Sequence, residues 1–390
     1  MREYSVAELD SSESGVSEPD WKDAVFCTVV TAPFLQQALT LASSLRAVHP
    51  QSTLVVLLAD SILPAEFARR RDEYLPRGIK LVALDELACE AALLERMTFW
   101  YSPFELCCAL RGLLHEYLWR ATSAAQWIFL DSDIFALAPL DDIFEQLQNA
   151  TLIVTPHRRK ALGSFYASGL ERDLLRGGIC NAGFVGVRRC EETASFISWF
   201  CARLERCALD DPFARGWFVD QLWLNLALHS FQNVQVARAL GANVGHWNLF
   251  DARFEYSPQA GFEIEGEPLL CFHFSGWNQN APEQLSKHLQ PGQELPASHQ
   301  SAWLELSSRY RDALSTHADA ALPRACAFSR FENGAPITPW MRRHFYDLSA
   351  RETLSFSGSP FLQAEYFARA ERELCNPPLW KRAARRLKKS

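Results

Sequence analysis

The chain has 390 residues and a mass of 44.2 kDa, enough for a sizeable core in one elaborated domain or two. Its 48% hydrophobic and 22% charged residues exclude a wholly disordered chain, and a formal net charge of −7 excludes a globally basic nucleic-acid binder. No run of about 18 consecutive apolar residues occurs, so no membrane-spanning helix is expected.

Residues 1–20 carry six acidic side chains and no apolar core of a signal peptide. They read as a disordered acidic tail. The eleven cysteines are odd in number and form no CxxC pair or Cys/His cluster, which suits reduced thiols in the cytoplasm. Order is expected to begin at AVFCTVVT (24–31), a strand. A helical pattern in PFLQQALTLASSLRAVHP and a second strand, TLVVLLAD (53–60), complete a βαβ unit. IKLVAL (79–84) reads as a further strand and 103–120 as a helix of mixed face leading into WIFLDSD. TLIVTP (151–156) and the Gly-punctuated GGICNAGFVGVRR (177–189) are strand-like, and EETASFISWFCARLERC is helical. FVDQLWLNLALHSF opens on an acidic residue before an apolar helical stripe, and VQVARAL and LLCFHFSG are short strands. WLELSSRYRDALSTHA predicts a helix, whereas FSRFENGAPITPWMRRHFYDL has the Pro/Gly punctuation of loops. The composition shift predicts a boundary near residue 290, dividing a domain over 21–290 from a mainly helical region over 291–390. Six of the last ten residues are Lys or Arg. Neither a G-x-G-x-x-G fingerprint nor a P-loop is present.

The stretch WIFLDSDIFAL (127–137) places Asp131 and Asp133 at the end of an apolar run, with Ser132 between them. The period of two along a strand puts both carboxylates on one face. Unpaired, each costs several kcal/mol, roughly, to desolvate beside its like-charged neighbour. A divalent cation shared with a diphosphate removes that cost, since oxygen ligands suit Mg²⁺ or Mn²⁺. The plainer reading is a strand exit with one Asp capping a turn. On the spacing alone both readings stand.

FCTVVTAPFLQQALTLASSL, IFLDSDIFAL, NAGFVGVRR, FVDQLWLN, HWNL and FHFSGW occur in an order that resembles bacterial glycosyltransferases. The layout is similar to that of the retaining, GT-A-fold galactosyl- and glucosyltransferases of the glycogenin-like family 8, over roughly residues 24 to 280. The resemblance implies a GT-A-like α/β fold: a Rossmann-like, mixed, mostly parallel sheet flanked by helices, here with a helical C-terminal extension. It implies a metal-dependent retaining transfer of a hexose from a nucleotide sugar, a UDP-sugar first of all, to a hydroxyl acceptor in surface glycan biosynthesis. Asp131 and Asp133 then fall on the D-x-D that binds Mn²⁺ or Mg²⁺ and the donor diphosphate. His273 of FHFSGW falls on the metal histidine, and Gly276 lets backbone approach a phosphate.

Three further readings follow from the resemblance. Arg111 occupies a place like that of the donor-binding lysine, and CNAG resembles a family segment in which Asn181 hydrogen-bonds donor hydroxyls while Gly183 opens room for the hexose. Asp220 and Gln221 match an Asp-Gln pair lining the sugar, with Gln221 near the face of the anomeric carbon opposite the leaving group. Each has a plainer counterpart: Arg111 on a wet helix face, a turn at 181–183, an N-cap at Asp220, a core histidine at 273. The chain departs from the family pattern at Gln279, where a lysine is common. Thr28, Thr31 and Phe34 follow the first strand, where open sheets bind ligands, and are candidates for base and ribose contacts with Asp60. Trp247 and Asn248 of HWNL are candidates for the sugar-site wall.

Expected partners are a nucleotide sugar and a glycan, lipid-linked glycan or protein hydroxyl, with no nucleic acid. The cationic segment 379–389 either rests on anionic membrane at the inner face or is a solvated terminus. Rival classes are a nucleotidyltransferase, for which the Gly/Arg-rich phosphate loop is missing, and a non-catalytic glycan- or nucleotide-sugar-binding protein on the same fold.

Overall fold

The computed structural model describes residues 24–161, 168–250, 252–289 and 293–375. The acidic tail and the basic segment 379–389 lie outside them.

The elements run β1 (Val25–Val30), α1 (Leu35–Val48), β2 (Thr53–Leu58), α2 (Pro64–Tyr74), β3 (Ile79–Val82), α3 (Ala91–Trp100), α4 (Pro103–Ala121), β4 (Gln126–Leu130), β5 (Ile134–Ala136) and α5 (Asp141–Leu147). They continue with β6 (Leu152–Pro156), α6 (Ser168–Gly177), β7 (Cys180–Arg188), α7 (Glu191–Cys207), β8 (Asp210–Asp211), β9 (Trp217–Phe218), α8 (Gln221–Ser230), β10 (Val234–Val236) and α9 (His246–Leu249). The last part holds β11 (Phe254–Ser257), β12 (Gly261–Ile264), β13 (Glu267–Pro268), β14 (Cys271–His273), α10 (Gln300–Thr316), α11 (Pro339–Ala350) and α12 (Ala364–Cys375).

The main sheet has the order β10-β6-β7-β4-β1-β2-β3. All neighbouring pairs are parallel except those of β7, which runs antiparallel to both β4 and β6. This is the mixed, mostly parallel sheet flanked by helices that the sequence predicts, with a helical C-terminal extension. Alternation along β1 explains the layering. Val25, Cys27 and Val29 face a cluster with α3, α4, α7 and α8, while Phe26 and Val30 face α1 and α5. Each such side chain contributes roughly 1.5–3 kcal/mol on full burial.

The loop expectation for 328–348 is corrected at its C-terminal half. Thr338 Oγ1 accepts from Met341 N (3.2 Å) and Pro339 takes the first helical position, so TPW starts α11 instead of interrupting it. Arg342 of α11 is buried and donates to the carbonyls of Phe99 (2.6 Å), Tyr101 and Phe328, tying the extension to the α3–α4 corner.

Two details of register prepare the site. On β6, Val154 pairs with Val185 but Thr155 pairs with Asn181, so residues 182–184 of β7 have no partner on β6, a bulge in the ladder. Separately, β14 pairs with β5 so that His273 lies opposite Ile134, and Phe274 N donates to Asp133 O (2.9 Å).

Candidate functional site

β4 ends at Leu130, and a tight turn closed by Ile134 N to Asp131 O (3.0 Å) carries Asp131, Ser132 and Asp133 at the carboxyl edge of the sheet. The β5–β14 pairing brings His273 to the same turn. Its Nε2 lies 3.0 Å from Asp133 Oδ1 and 3.7 Å from Asp131 Oδ2. One ligand atom from each of the three residues falls within 4.8 Å of the others, a group able to hold a metal ion. His273 is buried, while the two carboxylates stay about a quarter exposed, so the group opens to solvent on its acidic side. Burial lowers the His273 pKa, but the charges of Asp133 and Asp131 outweigh it and hold the imidazole above its ordinary range. Burial pushes Asp133 up, and His273 more than reverses this, leaving it below the usual carboxylate range.

The orientation of His273 is set from behind. Asn243 Nδ2 donates to Thr155 Oγ1 (2.7 Å) and Asn181 Oδ1 (3.0 Å), which turns Asn243 Oδ1 toward His273 Nδ1 at 3.2 Å. An Nδ1–H bound there leaves Nε2 to the carboxylates, the usual way a ligating imidazole is fixed. The bulged part of β7 lies against the group: Asp131 N donates to Gly183 O (2.8 Å). A Cβ on Gly183 would stand 2.5 Å from His273 Cε1 and 2.7 Å from Asp131 Oδ2. Two carboxylates, an imidazole and a clearance that only glycine gives fit a small divalent cation.

Arg111 is not on a wet helix face. It is buried within α4, stacked 4.6 Å from the Phe129 ring centroid. Its guanidinium bridges Asp131 Oδ1 and Asp220 Oδ2, the latter at 2.7 Å, and also donates to Ala182 O (3.0 Å). Burial lowers its pKa, but the two carboxylates more than reverse this and raise it. Asp220 stands at the N-cap position of α8 without making a cap bond. Its Oδ1 is buried and has no partner among the described residues. Val219 before it has φ +40°, a strained value for a β-branched residue. Gln221 donates to Gly177 O (2.7 Å) and accepts from Ala182 N (3.3 Å) and Asn181 Nδ2 (3.4 Å). Asn181 Oδ1 accepts from Gly183 N (2.9 Å). Asp131, Arg111, Asp220, Gln221, Asn181 and His273 therefore form one connected polar network.

The residues read for the nucleoside end are placed less uniformly. Thr28 is fully enclosed in β1 and Thr31 nearly so, whereas Phe34 is half exposed. Both oxygens of Asp60 are taken by backbone: Oδ2 by Ala32 N (3.0 Å), and Oδ1 by Ser61 N (2.9 Å) and Ala327 N (2.8 Å). Gly276 has φ +71°, and a Cβ there would stand 2.4 Å from His288 Cδ2.

Sequence reasoning missed Asn243, Thr155, His157 and His246. His157 leaves the end of β6 and meets Asn181 Nδ2 at 3.2 Å, and burial pushes its pKa down to about 4. Trp247 packs among His157 (5.4 Å between centroids), His246 (5.1 Å) and His273 (5.1 Å). The available signals were a polar residue at a strand exit in TPH and two imidazole or amide groups flanking the glycine of NVGHW.

No family model matches the chain. It is similar to the uncharacterized protein YfnF of Bacillus subtilis (strain 168), 24% identical over 285 residues that cover 71% of this chain and 89% of that one. Among solved structures it is similar to the galactosyltransferase LgtC in complex with donor and acceptor sugar analogs, with TM-score 0.47 and 14% identity over 77% of this chain and 97% of LgtC. It is also similar to the glycosyltransferase GlyE of Streptococcus pneumoniae TIGR4, with TM-score 0.42 and 16% identity over 76% of this chain and 62% of GlyE. No helix among the described residues is long and apolar enough to cross a membrane.

Proposed function

We propose that the protein is a metal-dependent, retaining glycosyltransferase of GT-A type that moves a hexose from a UDP-sugar to a hydroxyl acceptor. The observation that carries this reading is the convergence of Asp131, Asp133 and His273 within 4.8 Å at the carboxyl edge of the sheet. Asp131, Asp133 and His273 hold Mn²⁺ or Mg²⁺, which when bound neutralises the departing nucleoside diphosphate. Asp220, with an unpartnered buried oxygen, accepts from donor hydroxyls; burial raises its pKa, the Arg111 charge opposes that rise, and Arg111 holds its other oxygen in place. Asn181 and Gln221 line the same floor. An amide is a weak nucleophile, so Gln221 suits attack from the leaving-group side with retention more than a stable covalent intermediate. The acceptor is a hydroxyl of a surface or lipid-linked glycan or of a protein. The cationic composition of 379–389 supports work at the cytoplasmic face of an anionic membrane.

The test is slow donor hydrolysis. UDP-glucose, UDP-galactose and their GDP and dTDP counterparts are incubated with protein and Mn²⁺ and followed by proton NMR. The reading predicts hydrolysis of a UDP-hexose with the α-anomer released first, and loss of at least 100-fold in rate, about 2.7 kcal/mol, with EDTA or in Asp133→Asn. No turnover of any donor, with or without a hydroxyl acceptor mixture, contradicts it.

A further inference from the structure

Beside Asp131, Asp133 and His273, one turn of the wall carries a cation, Lys287, and an imidazole, His288, that belong to no part of the polar network described above. Ser286–Lys287–His288 folds back onto Ser275–Gly276, just past His273. Ser286 Oγ donates to Ser275 O (2.7 Å) and accepts from His288 N (3.1 Å), and Lys287 N donates to Gly276 O (3.0 Å). The left-handed Gly276 is what allows this approach, since a Cβ there would collide with the His288 ring. Ser286 is buried, while Lys287 and His288 remain exposed. The turn is therefore a built feature that holds one cation, Lys287, and one imidazole, His288, at the surface.

Its location follows from a chain of rings. His288 lies 5.9 Å from His246, His246 5.1 Å from Trp247, and Trp247 5.1 Å from His273. Burial and the Lys287 charge lower the His288 pKa, with the Asp133 charge opposing them, so at neutral pH the ring is an uncharged N–H donor. His246 Nδ1 and Trp247 Nε1 are buried without partners among the described residues.

Charge balance says what this wall would meet. The negative charges of Asp131, Asp133 and Asp220 are offset by Arg111 and one divalent ion. A diphosphate entering that neutral centre brings its own negative charge, which needs further cations or N–H donors. Gln279, the residue in the place where the family resemblance has a lysine, is uncharged.

We propose that Lys287, as a cation, and His288, as an N–H donor, grip the phosphate oxygens of the donor's diphosphate. This rests on the reading of the protein as a nucleotide-sugar transferase and names the cationic half of its donor site. The test is calorimetry of UDP and of uridine with Mn²⁺, on the wild-type chain, the Lys287→Ala/His288→Ala double variant and the Lys287→Arg/His288→Gln double variant. Both residues are exposed, so the fold should tolerate the changes. Mn²⁺ binding without nucleotide is measured alongside by electron paramagnetic resonance.

The expected result is at least a tenfold, about 1.4 kcal/mol, loss of UDP affinity in the alanine variant with uridine and Mn²⁺ binding unchanged, and recovery of most of it in the conservative variant. Equal UDP affinity in all three proteins overturns the proposal, as does parallel loss of UDP and uridine. If the wild type binds Mn²⁺ but neither UDP nor uridine, the transferase reading itself fails and this assignment with it.

Discussion

At the residue scale, Gly183 shows how backbone chemistry decides whether the acidic group can hold a cation. Its missing Cβ leaves the space between His273 Cε1, Asp131 Oδ2 and Asn181 Oδ1, each of which a methyl would approach within 2.8 Å. Gly183→Ala should therefore displace the imidazole or the carboxylate and weaken Mn²⁺ at least tenfold, about 1.4 kcal/mol, as read by titration of the Mn²⁺ resonance signal. Unchanged affinity would contradict the geometry. Asp131 and Asp133 stood out in the sequence because two carboxylates on an apolar strand end are physically conspicuous, whereas His273 was reached only through the family resemblance. Asn243 was not. A lone Asn before a Val-Gly turn looks like any other until β14 brings His273 beside it. The role of Asp60 was also hidden, because a carboxylate whose oxygens all go to backbone N–H groups reads no differently from a free one.

At the element scale, α4 joins the site to the core. Ser102 and Glu105 form a capping box at its start, with Pro103 at the first position, which explains why its N-terminus was legible. On its buried face His115 Nδ1 accepts from Trp127 Nε1 of β4 at 3.0 Å, and this requires a neutral ring. Burial, with Arg111 adding to it, pushes the His115 pKa down to about 3 from 6.5. The folded value is depressed, so the unfolded chain binds the proton first. Stability is full above pH 6.5 and falls as pH drops toward 3, by about 1.4 kcal/mol per unit for this group. Urea unfolding between pH 7.5 and 5 should show the fall, and His115→Gln, which keeps an acceptor for Trp127, should make it shallower. Identical slopes would contradict the assignment. The strands with unbroken β-branched runs, and α7, whose bounds Glu191–Cys207 coincide with the helical reading, were legible for the same reason: local pattern and tertiary burial agree. The antiparallel direction of β7 and the short β5 were not, because strand direction and a partner far along the chain leave no local trace. Helix α11 was misread because Pro339 at a first helical turn looks like loop punctuation.

At the scale of the whole molecule, the extension shares cores with the sheet domain. Met341, Phe345 and Phe367 join the cluster of α3, α4 and α7, while Trp303, Leu306 and Tyr310 of α10 pack with Phe272 and Phe274 around β14. The strand that delivers His273 is thereby clamped by α10, and the corner that begins α4 by Arg342. The acidic group and its bridging arginine are held from both flanks, the arrangement expected of a preorganised site. The proposed function requires that this group bind a nucleotide through a metal. The direct measurement is calorimetric titration of UDP, GDP and dTDP, each with Mn²⁺ and with EDTA, on the wild type and on Asp133→Asn. UDP binding should need Mn²⁺ and weaken at least 100-fold, about 2.7 kcal/mol, in the variant. UDP binding that ignores both EDTA and the substitution, or no nucleotide binding at all, would contradict it.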